Sequence, residues 1–446
     1  MNTPIADFVK NYIKSGFLRF HMPGHKGMKI LGIEKFDITE ISGADVLSDA
    51  SGIISESEKN ASALFNTGAT FYATEGSTAA IYAMLSLVKK EGEGRQVILA
   101  ARNVHKAFVQ GCALCDFDVN WLMPLQNLSI LKCEITAEVV EQEIIDSDKK
   151  PAAVYITSPD YLGNTLDIAE ISKVCKKYDV PLLVDNAHGA YLGFLKESMH
   201  PIHLGATVCC DSAHKTLPVL TGGAYLHISK DAPSEFAQKA KSKLALFTST
   251  SPSYIILQSL DLCNKYLADR FEEKLEKCVD NVKTVKRYIE EKGFCVLKSE
   301  PMKIVIDAKK SGFLGKDIAG ILRNNKIEPE FYDDDFVVLM VTPQNKRKDF
   351  KRLKKIFKHL KPKGKLECEQ IVMPVPQLKM TIREAVFADF EEIDVKSAEG
   401  RICAMPSVSC PPAVPIAVSG EVITREIIKL FEKYDIEKIK VVKGTR

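Results

Sequence analysis

The chain has one tryptophan in 446 residues and almost no net charge, with 61 Lys and Arg against 58 Asp and Glu, or +3. That balance leaves no global field to draw the chain to nucleic acid. No run approaches the roughly 20 apolar residues that cross a bilayer. The opening Met1-Asn-Thr-Pro-Ile-Ala-Asp7 has neither the basic start nor the apolar core of an export signal. The 12 cysteines are scattered, and Cys112-Ala-Leu-Cys115 has no second pair near it. Neither a disulfide framework nor a zinc site is expected, and no metal at all. There is no internal repeat and no low-complexity tract. What is there, 46% hydrophobic and 27% charged residues over a length that suits two or three domains, fits a soluble globular protein. A reducing, cytoplasmic setting is the expectation.

Residues 1–60 read as an irregular N-terminal arm, with a short helix near 5–14 and the loop His21-Met-Pro-Gly-His-Lys-Gly27. Over 61–252, helices alternate with short strands at 70–74, 96–100, 153–157, 181–185, 207–211 and 223–228. Helices are expected over 77–90 and 166–178. The strands are apolar runs rather than alternating patterns, which points to a mostly parallel sheet with helices on both faces, an α/β fold. Pro181 can open its strand without losing an interior ladder bond. A long helical stretch after residue 253 leads into a small α/β domain over 253–365. Its strands are expected at 294–297, 302–307 and 336–341, and its helices at 316–324 and 348–360. In the basic run 346–360, Phe350, Leu353, Ile356, Phe357 and Leu360 fall at helical spacing, so the lysines read as a solvated face rather than an RNA- or anion-binding one. The segment Lys361-Pro-Lys-Gly-Lys365 is a linker to a proline-rich C-terminal unit, 366–446.

The densest information lies in Val184-Asp185-Asn186-Ala187-His188 and, after a gap of 23 residues, Ser212-Ala213-His214-Lys215. Each piece closes a short apolar strand. An Asp at one strand end and a Lys just past the next can hold the two ends of one flat cofactor. Pyridoxal phosphate needs that pair: its aldehyde joins a lysine amine, and a carboxylate keeps its ring nitrogen protonated. Strand-end Asp and Lys are also common as plain solvated groups. Glu75-Gly76-Ser77-Thr78 stands between a strand and a helix. There a glycine lets the backbone approach an anion, and hydroxyls and amides meet it at a helix N-terminus. The same residues would also serve as an ordinary N-cap. His105 follows strand 96–100, where an imidazole stacks on a flat ring or simply fills a loop. Thr157-Ser-Pro-Asp-Tyr-Leu-Gly163 ends another strand. Ligands of open α/β sheets lie outside the carboxyl ends of the strands. Ser77, His105, Thr157, Asp185 and Lys215 all fall there, and that coincidence favours the cofactor reading.

With these motifs, the His21–Gly27 loop, Arg102-Asn-Val-His-Lys106, Phe247-Thr-Ser-Thr-Ser-Pro-Ser-Tyr254, Gly400-Arg-Ile402 and Pro411-Pro412, the chain resembles the ornithine/lysine/arginine decarboxylase family over nearly its whole length. That family is a branch of the fold-type I, aspartate aminotransferase-like pyridoxal-phosphate enzymes. The resemblance implies a seven-stranded-type sheet, a small α+β domain and a C-terminal domain. It implies pyridoxal 5'-phosphate as cofactor and decarboxylation of a basic amino acid, arginine or lysine with ornithine as a further option. The route would run through an external aldimine and a quinonoid to amine and carbon dioxide. Lys215 would carry the cofactor, Asp185 would pair with its ring nitrogen, His105 would stack on one face and Ala187 would pack on the other. Ser77, Thr78, Ser212 and His214 would hold the phosphate. Ser249 would reach the phosphate of a neighbouring subunit, which implies a homodimer or a dimer of dimers with a shared site. His188 would act on the substrate side, with Lys215 as the other proton donor, and the loop bearing His21 and His25 would approach the site. The long family members carry an N-terminal receiver-like domain that is not expected here.

Several positions depart from the family pattern. Asn186 stands where an acidic residue is usual, Ala213 where a hydroxyl precedes His-Lys, and Gly222 where a glutamine is usual. The C-terminal segment reads Ala404-Met405, Cys410-Pro-Pro-Ala-Val-Pro415 and Ser419-Gly-Glu421, so a Glu and a Tyr of the usual pattern are lost to Met405 and Cys410. A basic substrate needs a carboxylate partner, since an unpaired buried charge is costly. Glu421 and Asp160 are the candidates, and His25 is added to the substrate side. Two other readings stay open. One is a pyridoxal-phosphate aminotransferase or lyase, for which Arg323 and Arg383 are candidate carboxylate binders. The other is a non-catalytic homologue that keeps the cofactor.

Overall fold

A computed structural model of the chain describes residues 1–92, 94–124, 129–367, 374–375, 377–406 and 413–444. Cys410, Pro411, Pro412 and Pro376 lie outside the described residues. The strands are β1 (Ala69–Ala73), β2 (Gln96–Ala101), β3 (Phe117–Leu122), β4 (Ala153–Thr157), β5 (Leu182–Asp185), β6 (Val208–Asp211), β7 (Ala224–Ile228), β8 (Cys295–Leu297), β9 (Lys303–Asp307), β10 (Phe331–Tyr332), β11 (Phe336–Met340), β12 (Phe390–Asp394), β13 (Cys403–Met405) and β14 (Lys438–Val442). The largest sheet has seven strands in the order β1-β7-β6-β5-β4-β2-β3. β5 and β6 pair in parallel, as do β2 with β3 and β2 with β4. β7 runs antiparallel to both β6 and β1. The sheet is mostly parallel, as expected, and β7 is the strand that runs against its neighbours, a reversal that an apolar run cannot reveal because it reports burial and not direction.

By compactness the chain divides into two units, Met1–Lys89 with Ile168–Lys274, and Lys90–Asp167 with Leu275–Arg446. The first holds β1, β5, β6 and β7. Every residue of β5, β6 and β7 is buried, the condition under which a strand needs no polar face. Pro181 lies just outside β5, which begins at Leu182. Helix Ser77–Val88 buries nine residues and starts from Gly76, whose φ of +77° only glycine adopts freely. Residues 1–60 are less irregular than expected. Pro4–Ser15 is helical, as the pattern suggested, but a second helix, Ile53–Leu64, begins inside the arm. Its Ser57 and Glu58 are buried, which blunts the apolar stripe by which a helix is recognised in sequence.

The second unit holds β2, β3 and β4, a four-stranded antiparallel sheet (β10-β11-β9-β8) and a three-stranded one (β12-β14-β13). The basic run becomes helix Arg347–His359, which buries Phe350, Leu353, Ile356 and Phe357 and leaves most of its lysines in solvent. The stretch after 253 is two helices, Tyr254–Ala268 and Phe271–Glu291. No described helix is long and apolar enough to cross a membrane.

Candidate active site

In the first unit the ends of β5 and β6 carry the reactive side chains. Asp185, the last residue of β5, is 2% exposed, and its Oδ1 accepts the Ala187 amide at 3.1 Å. The Cys210 thiol also points to that oxygen, at 3.6 Å. The chain then turns so that His188 Nε2 comes 2.9 Å from Lys215 Nζ. While Lys215 is an ammonium it has donors only, so Nε2 accepts and the imidazole proton sits on Nδ1. A lysine amine, an imidazole and a buried carboxylate are thus supplied by two adjacent strand ends.

Ser77 and Ser212 meet beside them. The Ser212 hydroxyl donates to Ser77 Oγ at 2.8 Å. Ser77 is the first helical residue and Gly76 is the cap, so the N-cap alternative fails and Ser77 keeps its hydroxyl for other partners. Gly76 leaves open room, as a Cβ there would meet nothing closer than the Thr78 amide at 4.0 Å. Thr78 follows on the same helical turn. His214 turns its ring to the Gly223 carbonyl at 3.1 Å, and burial pushes its imidazole down toward the neutral form. Ala187 is buried next to Asp185. Ser249 is exposed; its amide donates to Glu75 Oε1 at 3.2 Å and its hydroxyl accepts the Ser251 amide at 3.0 Å.

Gly222 was legible only as a departure, and the structure gives it a use. Its carbonyl accepts the Gly76 amide at 2.7 Å, its φ is +97°, and a Cβ there would lie 2.7 Å from the Thr74 carbonyl oxygen. The side chain usual in the family would not fit this close backbone approach, which holds the turn before Ser77. Gly222→Ala is expected to destabilise the protein by about 1–3 kcal/mol, the range for a strained backbone position. The urea midpoint reads this, and an unchanged midpoint contradicts the role.

The other candidates make contacts of their own. In the first unit, His25 receives the Gly27 amide on Nδ1 at 3.0 Å and meets Asp37 through Nε2 at 3.2 Å, which fixes its own loop. In the second unit, His105 caps helix Lys106–Cys115 by accepting the Ala107 amide at 3.1 Å. Both Asp160 oxygens hold Asn164, at 2.9 and 2.8 Å, and burial pushes this carboxyl up to about 6. Glu421 pairs with Arg102 at 3.2 Å and accepts the Val418 amide at 2.7 Å through Oε2. Its Oε1 is buried without a hydrogen-bond partner. Arg323 is held by the Glu328 carboxylate at 2.6 Å, and Arg383 donates through one nitrogen to the Ala113 carbonyl at 2.8 Å. Sequence reading missed Arg102 as a partner of Glu421, and also the buried Asp211, His200 and His227. Residues so far apart in the chain leave no local signal.

The donor set of the first unit fits pyridoxal phosphate: an amine for its aldehyde, a buried carboxylate for its ring nitrogen, and hydroxyls beside a glycine turn for its phosphate. The architecture is that of the aspartate aminotransferase-like pyridoxal-phosphate enzymes. Within that class the chain belongs to the Orn/Lys/Arg decarboxylase family and is a decarboxylase. Residues 3–307 match the family's description "Orn/Lys/Arg decarboxylase, major domain", and residues 365–437 match its "C-terminal domain". The chain is similar to an arginine decarboxylase of Bacillus subtilis, 29% identical over 97% of this chain and 94% of that one. An arginine decarboxylase of Bacillus anthracis is 28% identical over 97% and 92%. Among solved structures, the Francisella novicida lysine decarboxylase LdcF has the same fold, with a TM-score of 0.81 at 18% identity over 99% of this chain and 81% of that one.

Proposed function

We propose that the protein is a pyridoxal-phosphate-dependent arginine decarboxylase. The Lys215–His188 contact at 2.9 Å beside buried Asp185 carries this reading. Arginine is favoured over lysine and ornithine because the near full-length relatives are named arginine decarboxylases. The lysine decarboxylase likeness, at 18% identity, speaks for the fold alone.

Lys215 would bind the cofactor covalently, Asp185 would face its ring nitrogen, and Ser77, Thr78, Ser212 and His214 would hold its phosphate. His105 would stack on its ring, and Ala187 would pack on the other face. Bound there, pyridoxal phosphate supplies an electron sink for the pair left when carbon dioxide departs. Asp185 contributes a fixed negative charge that needs no reorganisation during the reaction. His188, 2.9 Å from Lys215, is placed to hold a proton at Nδ1 and to exchange one with the amine through Nε2. Glu421 is the stronger candidate for the basic side chain, because its Oε1 is buried and unpartnered whereas Asp160 has spent both oxygens.

A homodimer completes this proposal. Phe17, Leu18, Phe20 and Leu31 are 71–92% exposed, an apolar stretch that a second copy would cover, and Ser249, exposed with its amide on Glu75, would offer its hydroxyl to a neighbour's phosphate. A cytoplasmic setting fits the ten described cysteines, all free thiols. Carbon dioxide release with arginine, lysine and ornithine tests the substrate. Release from arginine at the highest kcat/KM is expected. Equal or faster release from lysine overturns the choice of arginine, and release from none of the three overturns the reading of a basic substrate.

A further inference from the structure

Behind the strand ends lies a buried polar cluster that the reaction as described does not use. Asp211, the last residue of β6, is completely buried. Its Oδ2 meets His200 Nε2 at 3.0 Å and His227 Nε2 at 3.1 Å. Its Oδ1 accepts the Asn186 side-chain amide at 2.7 Å, and the Cys209 thiol lies 3.7 Å from it. His200, Cys209 and Asp211 are close enough together to suggest a metal site. The protons argue otherwise. His200 Nδ1 accepts the Ile202 amide at 3.3 Å, so the ring proton is on Nε2, the atom that faces Asp211. An Nε2 that carries a proton donates to a carboxylate and has no lone pair for a cation. His227 Nδ1 meets the Thr70 hydroxyl at 2.9 Å. Burial by itself would raise the Asp211 carboxyl, but the two imidazoles hold it well below the usual carboxylate range.

Asn186 is the one member of the cluster that belongs to the catalytic loop. It stands between Asp185 and Ala187, two residues before His188. Its amide nitrogen donates to the Cys210 carbonyl at 3.0 Å, and its carbonyl accepts the Gly189 amide at 2.8 Å. Its side chain fills the place of any Cβ at Gly189, which would sit 1.9 Å from Asn186 Oδ1. The loop is thus shaped around this side chain, and Asp211 fixes the side chain from the neighbouring strand. Asp211 also immediately precedes Ser212 and the turn to Lys215.

We propose that Asn186 and Asp211 form a positioning bridge between the two strand ends that sets His188 against Lys215, with His200 and His227 holding Asp211 as the acceptor. The bridge rests on the proposed function for its consequence in turnover, but not for its geometry. It works with one carboxylate in the pair. A second, at position 186, would face the first at about 2.7 Å with no cation between them.

The test compares Asn186→Ala, Asn186→Asp, Asp211→Asn and the exchanged pair Asn186→Asp with Asp211→Asn. Two quantities are read: kcat and KM for carbon dioxide release, and, on the cofactor-free protein, the acetylation rate of Lys215 relative to the other lysines by mass spectrometry. Asn186→Ala is expected to lower kcat by about 10- to 100-fold with KM little changed, the loss typical of a misplaced reacting group. It is also expected to change the relative Lys215 acetylation rate. Asn186→Asp should do more damage than Asn186→Ala, and the exchanged pair should recover part of the loss because it restores one carboxylate. Wild-type kcat and wild-type Lys215 labelling in Asn186→Ala overturn the bridge. So does a loss of folded protein with unchanged labelling in the folded remainder, or an exchanged pair no better than Asn186→Asp alone. If Asn186→Asp does not fold, Asn186→Ala decides by the same two readings. The labelling arm needs neither cofactor nor substrate, so it still decides the bridge if no basic amino acid is decarboxylated.

Discussion

Lys215→Ala is expected to abolish decarboxylation, with kcat reduced by on the order of 10⁴- to 10⁶-fold, the range seen when a residue that bonds to the reacting system is removed. The same variant should fail to develop the visible absorbance of lysine-bound pyridoxal phosphate when the cofactor is added. The fold should survive. Lys215 is only partly buried, and His188 lies 2.9 Å from its amine. Far-ultraviolet circular dichroism and the urea midpoint should therefore stay close to wild type. Two outcomes separate the readings of this protein. Loss of both turnover and absorbance places the covalent bond at Lys215. Retained absorbance in Lys215→Ala would mean that another lysine carries the cofactor, and the site built on β5 and β6 would be the wrong one.

The parts of this site that were legible in sequence share one property: each is local. Leu182–Asp185 and Val208–Asp211 are apolar runs that end in a carboxylate, and both are strands because complete burial on two faces removes the need for alternation. Ser77 was found as a hydroxyl after a glycine, and Lys215 as a lysine just past a strand. What stayed hidden depends on pairing across the chain. The antiparallel direction of β7 leaves no mark in Ala224–Ile228. β3 escaped notice because its burial is patchy, with Asn120 exposed and two acidic residues, Asp116 and Asp118, facing Arg95 at its start. β12, Phe390-Glu-Glu-Ile-Asp394, carries three acidic residues, and its strand character comes from its pairing with β14 rather than from propensity. The polar cluster on Asp211 is the clearest case. His200 and His227 flank it from 11 and 16 residues away; the pairing of β6 with β7 brings His227 to Asp211, and the segment before β6 brings His200 to the same carboxylate.

The largest effect on stability is expected at Arg102. In the second unit its guanidinium is 4% exposed and meets Glu421, 1% exposed, at 3.2 Å. It also donates to the Pro415 and Ile416 carbonyls at 3.1 and 2.9 Å and lies over the Trp121 ring at 4.9 Å. These contacts tie the residue just after β2 to the segment that carries Glu421. Arg102→Ala removes all of them and leaves a buried carboxylate with no cation, a loss of about 3–5 kcal/mol. The pH dependence has a definite sign. Burial already pushes the Glu421 carboxyl above its ordinary 4.5, more strongly than Arg102 and the Val418 amide pull it down. An acid raised in the folded state contributes stability below its unfolded value and loses it as the pH climbs through the folded value. Without Arg102 the carboxyl rises further, so Arg102→Ala should unfold at lower urea at pH 8 than at pH 5, by a wider margin than wild type. Replacing both partners, Arg102→Met with Glu421→Leu, should recover most of the loss, since an apolar pair of similar volume needs no counter-charge. A double variant as unstable as Arg102→Ala would show that the carbonyl bonds at Pro415 and Ile416, rather than the ion pair, hold this segment in place.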